Sequence, residues 1–298
     1  MDVVMSGASG FIGTALTKSL VADGHRVVPL VRRPVAAGED AARWDPAAGT
    51  IDAAVLEGAD AVVHLAGAGI GDERLTAERK KLVIDSRRQG TMVLAEAVAA
   101  ATRPPPALLS GSAIGYYGDR GDEVLTETSP AGEGFLPEIC LAWEGAARPA
   151  VDAGVRTVFL RTGIVLDDRG GALKPMALLA KCGVLGRLGS GKQWMSWISM
   201  ADYVRAVRCL IDNEVAGPVN LTGPAPATNA DFTKALGRAV HRPTIIPVPS
   251  FAPKLILGAE RADALLFTSG RILPTVLERH GFTFDHPDLD TAFASALH

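Results

Sequence analysis

Cysteine is scarce in this 298-residue chain: Cys140, Cys182 and Cys209 are the only three, and they share no metal or redox spacing. An odd number cannot all pair internally, so the expected setting is a reducing compartment. Although 48% of the residues are hydrophobic, no apolar run reaches the roughly 20 residues a membrane-crossing helix needs. A basic stretch followed by a cleavage site is also missing, because the first apolar run leads straight into a glycine-rich turn. A cytoplasmic protein that does not engage membranes is therefore expected. Basic residues never run beyond pairs and the formal net charge is −3, which argues against nucleic acid as a partner. The six histidines show no metal-ligand spacing, and no metal is expected.

What the chain does have is alternation. Val3-Val4-Met5 ends at Ser6-Gly7, and an amphipathic stretch from Phe11 to Ala22 follows and stops at Gly24, a natural terminator. His25 to Val31 and Ala61 to Leu65 read as further strands, and a long helix from about Arg79 to Ala101 breaks at Pro104-Pro105-Pro106. Ala107 to Ser110 and Thr157 to Leu160 are strands around a helix near Ile139 to Val151. Continuous apolar strands separated by helices predict an α/β fold, a doubly wound parallel sheet covered on both faces, with ligands at the carboxyl ends of the strands. The alternation loosens after Asp167. The expected organisation is a dinucleotide-binding domain over 1–165 and a smaller substrate-side and C-terminal domain over 166–298. Segments near 200–222 are expected to return to the first.

Gly7-Ala8-Ser9-Gly10-Phe11-Ile12-Gly13 follows the first strand and opens the first helix, the context a dinucleotide-binding glycine motif requires. Gly7 permits the tight turn, Gly10 lets backbone approach a pyrophosphate, and Gly13 lets the helix pack on the strand; the helix N-terminus then faces the phosphates. At the end of the second strand, an NAD-preferring site places an acid that accepts from the ribose 2′-hydroxyl. Here that place holds Arg32 and Arg33, and guanidinium groups suit a 2′-phosphate, so the expected cofactor is NADP(H). Arg87 falls in the apolar stripe Val83, Gly90, Leu94, Ala97 of the long helix. Two readings stay open there: a partner for a cofactor phosphate, or an arginine that snorkels or meets an internal carboxylate. Gly186 to Lys192 has G-x-x-x-x-G-K spacing, yet Gln193 replaces the magnesium-binding hydroxyl and no strand leads in. It reads as a substrate-side loop. Trp143 reads as core, while Trp194 and Trp197 fit a pocket wall and core packing equally.

Several segments together resemble the extended short-chain dehydrogenases/reductases, such as the nucleotide-sugar epimerases: Gly7 to Gly13, Leu65-Ala66-Gly67, Gly90-Thr91, Ser112 with Tyr117-Gly118, and Arg161-Thr162-Gly163. Trp44-Asp45-Pro46, Ser86-Arg87, Trp143-Glu144, Gln193 to Ile198, and Ser269 to Pro274 through Gly281-Phe282 extend the resemblance to nearly the whole chain. They are similar to the atypical branch labelled epimerase family protein, which carries a C-terminal domain of unknown role. The resemblance implies a Rossmann-like fold and an NADP(H) site. In it Gly7, Gly10, Gly13 and Arg32 match the cofactor motif, Leu65 and Ala66 the turn under the adenosine, and Asp45 the position beside the adenine. Val165 lies just past the strand that flanks the nicotinamide.

The chain departs from that family at the reaction. The family's Tyr and Lys stand one helical turn apart, but four residues beyond the tyrosines 116, 117 and 203 here stand Arg120, Gly121 and Val207. Ile139 and Trp143 occupy one such spacing on the expected helix, and Arg87 replaces the usual Asn. Ser112 remains, and with Tyr116 and Tyr117 it makes the candidate catalytic group in the loop after the strand Ala107 to Ser110. An unassisted phenol, with its ordinary pKa of ~10, is a competent acid and a poor base at neutral pH, which favours reduction. The expectation is an NADP(H)-dependent oxidoreductase or epimerase-like enzyme with a small-molecule substrate and an altered catalytic group, with a homodimer left open. The alternatives are a non-catalytic NADP(H) sensor and, third, a structural partner in a complex.

Overall fold

Residues 1–71, 73–245 and 247–297 are described by the computed structural model. The apolar runs become strands of one sheet: β1 (Asp2–Ser6), β2 (Arg26–Val31), β3 (Ala42–Asp45), β4 (Thr50–Ile51), β5 (Ala61–His64), β6 (Ala107–Ala113), β7 (Arg156–Thr162) and β8 (Gly217–Leu221). Their order is β8-β7-β6-β5-β1-β2-β3-β4, parallel throughout except for the antiparallel β3–β4 pair. The chain runs outward from β1 to β4 on one side and from β5 to β8 on the other, so the topological switch lies between β1 and β5. The fold is a Rossmann-like α/β sheet.

Alternate residues of each strand serve opposite faces. Val3, Met5, Val63 and Leu109 pack with Leu16 and Leu20 of α1 (Phe11–Ala22), which lies beside Tyr203 and Val207 of a later helix, Met200–Asp212. Val4, Val62 and Leu108 pack on the other face against Leu94 and Val98 of α2 (Ala77–Ala100), with Ala147 and Ala150 after α3 (Phe135–Gly145). Thus Met200–Asp212 and β8, late in the chain, belong to the sheet's own packing. Helix limits follow from local chemistry. The Thr76 hydroxyl caps α2 by accepting from the Arg79 N–H at 3.2 Å, and Gly24 turns the chain after α1 at φ +79°.

A third core joins Leu173 and Ala177 of α4 (Leu173–Lys181), Trp197, Phe232 and Leu236 of Asn229–Ala239, and Phe293 of Leu289–Ala296. The stretch Ala252 to Phe267 is not one helix. It breaks at Gly258, whose φ of +87° ends the helical path. Two buried carboxylates tie the C-terminal segment to the sheet. Glu127 accepts from the backbone N–H groups of Asn220 and Val276, both at 3.1 Å, and from the Thr275 hydroxyl. Asp202 accepts from the N–H groups of Asp285 and His286, both at 2.9 Å.

Candidate functional site

The turn after β1 fits the turn after β5 with no room between them. A Cβ on Gly7, at φ +74°, would lie 2.8 Å from the Leu65 carbonyl carbon and 2.9 Å from the Ala66 nitrogen; on Gly13 it would lie 2.1 Å from the Gly7 carbonyl oxygen. Glycine at both positions is thus a steric requirement. Gly10 starts α1 without a side-chain cap, and the first turn holds no acid. Its N-terminal N–H groups face the switch between β1 and β5, beside Ser9 and Ile12. Phe11 is held from above: a Cβ on Gly170 would come within 2.4 Å of its ring.

The two arginines after β2 differ. Arg33 is ion-paired with Glu39, whose carboxyl that hydrogen bond draws down to about 2. Arg32 is exposed and makes no hydrogen bond or ion pair among the described residues. One guanidinium is therefore committed locally and its neighbour is free. At the end of β3, Asp45 accepts from the N–H groups of Ala47 and Ala48, each at 3.2 Å, which shapes its own turn. Val165 is buried and paired with Ile198.

Beneath the β5 turn lies a buried polar group that sequence reading passed over. His64 donates to or accepts from the Ser6 hydroxyl at 2.6 Å, and its Nε2 has no partner. Burial first, then the charge of Arg87, lowers its pKa to about 4, so it is neutral at physiological pH. Arg87 itself is 8% exposed, and burial lowers its pKa to about 10, leaving it charged. Its Nη1 donates to the carbonyls of Ala68 at 2.8 Å and Val83 at 3.1 Å, and its guanidinium lies 4.7 Å from the Trp143 ring centre. Among the described residues no carboxylate pairs with it. Of the two readings left open, an internal ion pair is not what the structure holds. Gly67 leaves the space: a Cβ there would touch the Arg87 side chain at 3.3 Å.

The candidate catalytic group is organised by a second pair that the sequence did not single out. Arg161 on β7 binds Glu144 on α3 through two bonds, 2.9 and 3.0 Å, and both are largely buried. Ser112 donates to the same carboxylate at 2.7 Å. The Tyr117 hydroxyl donates to Asn220 at 2.7 Å and accepts from Arg161 at 3.0 Å. It is fully buried, and desolvation pushes its pKa up to about 12. Tyr116 lies with its ring centre 3.4 Å from the Arg161 guanidinium carbon, half-buried, and its hydroxyl has no partner among the described residues. Of the three hydroxyls, two are engaged and Tyr116 alone is free. Trp143, read as core, is 8% exposed and packs where a Cβ on Gly111 would come within 2.5 Å of its ring. Trp197 is core, whereas Trp194 donates to Asp122 at 2.5 Å beside an open cleft of about 590 Å³. No cluster of metal-ligating side chains occurs among the described residues, and no described helix is long and apolar enough to cross a membrane.

A mostly parallel, doubly wound sheet with a glycine-rich turn wedged into its switch point defines the dinucleotide-binding class of Rossmann-like proteins. Comparison with known proteins agrees. Residues 3–135 match the family model for the NAD dependent epimerase/dehydratase family, and residues 248–296 match a domain of unknown function, DUF1731. The chain belongs to the NAD dependent epimerase/dehydratase family, in the branch named epimerase family protein. Epimerase family protein Mb2239 of Mycobacterium bovis is 46% identical over 99% of this chain and 97% of its own. The crystal structure of human epimerase family protein SDR39U1 with NADPH is 34% identical and matches with a TM-score of 0.90 over 99% of each chain. A nucleoside-diphosphate sugar epimerase from Corynebacterium glutamicum matches at 37% identity and a TM-score of 0.81, covering all of this chain and 58% of that one.

Proposed function

We propose that this chain is an NADP(H)-binding oxidoreductase of the epimerase type that acts on a small molecule. The observation that carries this reading is the Gly7–Gly13 turn, packed without clearance on Leu65 and Ala66, with the unpaired Arg32 at the end of the neighbouring strand. Backbone N–H groups at the start of α1 suit a pyrophosphate, and Arg32 suits a 2′-phosphate. The NADPH in the human relative's crystal structure supports the same cofactor. Leu65, Ala66, Gly67 and Asp45 would flank the adenosine side and Val165 the nicotinamide side. Arg33 is left to hold the loop through Glu39.

When bound, the nicotinamide supplies or accepts a hydride. The chain's own residues must then deliver or remove one proton at the substrate oxygen. The Ser112 hydroxyl spends its hydrogen on a bond to Glu144 and presents only lone pairs to a ligand, so it orients a donor group. Tyr117 is sealed into the fold. Tyr116, with a free hydroxyl on a ring clamped against Arg161, is the proton donor of this proposal, and reduction is its favoured direction.

The engaged Ser112 and Tyr117 hydroxyls favour a second reading, a binder of NADP(H) that turns nothing over. One measurement tests the cofactor that both readings share, and a second separates the readings. Arg32→Ala is expected to weaken NADPH about ten- to a hundred-fold and leave NADH nearly unchanged; equal affinities of the parent for both cofactors would refute the cofactor assignment. In single-turnover NADPH oxidation across a carbonyl panel, Tyr116→Phe is expected to cost about 10²–10⁴-fold. If NADPH binds tightly and no carbonyl oxidises it, the binder reading stands.

A further inference from the structure

Acids and bases are unevenly spread along this chain. Residues 169–201 and 232–259 contain none of its 33 acidic residues but nine of its 30 lysines and arginines. The fold lays these two stretches side by side. Leu188 and Val248 form a parallel bridge, the Gly189 N–H donates to the Val248 carbonyl at 2.9 Å, and Arg242 Nε donates to the Lys181 carbonyl at 3.3 Å. Four of the nine bases are ion-paired with aspartates from outside the two stretches: Arg169 with Asp167, Lys181 with Asp168, Arg238 with Asp290 and Lys254 with Asp263. The other five, Lys174, Arg187, Lys192, Lys234 and Arg242, are exposed and meet no carboxylate among the described residues.

The same two stretches carry large apolar side chains that the cores leave out. Val184, Ile245, Phe251, Leu255 and Ile256 are between 56% and 84% exposed, and apolar groups of this size gathered at a surface mark a place of contact. Val184 and Ile245 stand three residues past Lys181 and Arg242 on the two adjoining segments. Phe251 and Leu255 lie one turn apart on the helix Phe251–Leu257, and so share a face. The bases have an order of their own. Lys234, Arg238 and Arg242 recur every four residues, and with His241 they line an open cleft of about 590 Å³. Projecting apolar tips therefore stand among unpaired cations.

We infer that this surface docks on a bilayer containing anionic phospholipid, its apolar tips entering the interface and its bases meeting headgroup phosphates. Charge decides against a second copy of the chain, which would set like charge on like. Shape decides against a folded protein partner: the tips come from separate segments and project, whereas the cleft beside them is lined by cations. A bilayer needs no matching shape. It takes in apolar groups to a depth of about 5–10 Å and gathers basic residues by its surface potential. Such docking uses no spanning helix, and none of the described helices could span. It is independent of the cofactor reading and departs from the expectation that the chain does not engage membranes. That expectation came from runs in the sequence, and these bases meet only in the fold. Lys192 also lines the cleft beside Trp194, so docking holds that cleft close to the lipid.

Flotation of the full chain with vesicles tests this, one set of phosphatidylcholine alone and one of phosphatidylcholine and phosphatidylglycerol in equal parts. Binding to the mixed vesicles is expected to be roughly tenfold or more stronger, and to fall as salt rises. Phe251→Ser with Leu255→Ser, and separately Lys234→Gln with Arg242→Gln, should each weaken it by roughly tenfold or more. All four side chains are exposed, so both double variants should keep the parent's circular dichroism spectrum. Brominated acyl chains should quench the fluorescence of Phe251→Trp more than that of the parent. No flotation with the mixed vesicles would overturn the inference, as would binding that neither pair of substitutions alters. Two competition results would also overturn it. Release by polyglutamate, with no effect of the serine substitutions, would make the partner an acidic protein. Release by glycerol phosphate at matched ionic strength would make the surface a site for small anions.

Discussion

A histidine, a glutamate and an arginine decide most of the electrostatics under the site. His64 is neutral because burial removes the water that would solvate its cation, and Arg87 opposes that cation further. In the unfolded chain its pKa is near 6.5, and in the fold about 4. Above pH 6.5 both states are neutral and the fold suffers no penalty. As pH falls, the unfolded state gains a proton that the folded state refuses, so stability is lost between about 6.5 and 4, at up to ~1.4 kcal/mol per pH unit. His64→Asn, which keeps a polar group near Ser6 but does not titrate, should flatten that part of the urea-measured stability profile. An unchanged slope would mean that His64 is protonated in the fold. Glu144 behaves differently, because it neutralises Arg161 inside the protein. Glu144→Gln is expected to cost about 3–5 kcal/mol by leaving a buried guanidinium unpaired. Asp152→Asn, which breaks the exposed pair with Arg148, should change stability by less than about 1 kcal/mol. Denaturant midpoints of the two variants check the contrast.

At the scale of elements, the glycines at the two ends of α1 carry unlike loads. Gly13→Ala drives a Cβ into the Gly7 carbonyl, so α1 must move off the sheet. A loss of about 1–3 kcal/mol and of measurable NADPH binding is expected by thermal unfolding and titration. Gly24→Ala meets nothing within 4 Å and only strains a left-handed turn at φ +79°; about 1–2 kcal/mol and unaltered cofactor affinity are expected. This contrast also marks what the sequence made legible. Strand–turn–helix order and glycine spacing are local signals, and Val3-Val4-Met5, Phe11 to Ala22 and Ala61 to Leu65 read directly as β1, α1 and β5. The stripe on α2 likewise marked Arg87 as inward-facing. The strand β3 was not read, because its four residues alternate in exposure and sit in a loop-like context of glycines and alanines. The Glu144–Arg161 pair was invisible for another reason: its members come from a helix and a strand, and nothing in either segment's periodicity announces the meeting. Only the fold could show that Ser112 and Tyr117 spend their hydroxyls on that pair and on Asn220.

For the whole molecule, the buried carboxylates matter more than the boundary between its parts. Glu127 binds Asn220 of the sheet's edge together with Thr275 and Val276 of the C-terminal segment. Asp202, on a helix packed against α1, holds Asp285 and His286. Unfolding either part strands these charges, so the chain is expected to melt in one transition, with far-ultraviolet circular dichroism and tryptophan fluorescence coincident in urea. Asp202→Ala should separate the curves, the C-terminal segment loosening first; two well-resolved steps in the parent protein would contradict this.

The reach of Glu127 has a consequence for how the protein is made. Its carboxylate and the Val276 N–H that it accepts from are 149 residues apart. At roughly 5–20 residues per second, the ribosome delivers the partner about 7–30 s after the acid. Throughout that interval the emerging chain can pair β1, β2, β5 and β6, yet the slot around Glu127 has no donors from the C-terminal segment. A half-made chain must keep this acid hydrated until Thr275 and Val276 have emerged. Nascent-chain proteolysis should therefore find protection of the Glu127 region arriving late, in step with the C-terminal segment and well after the glycine turn has closed on Leu65.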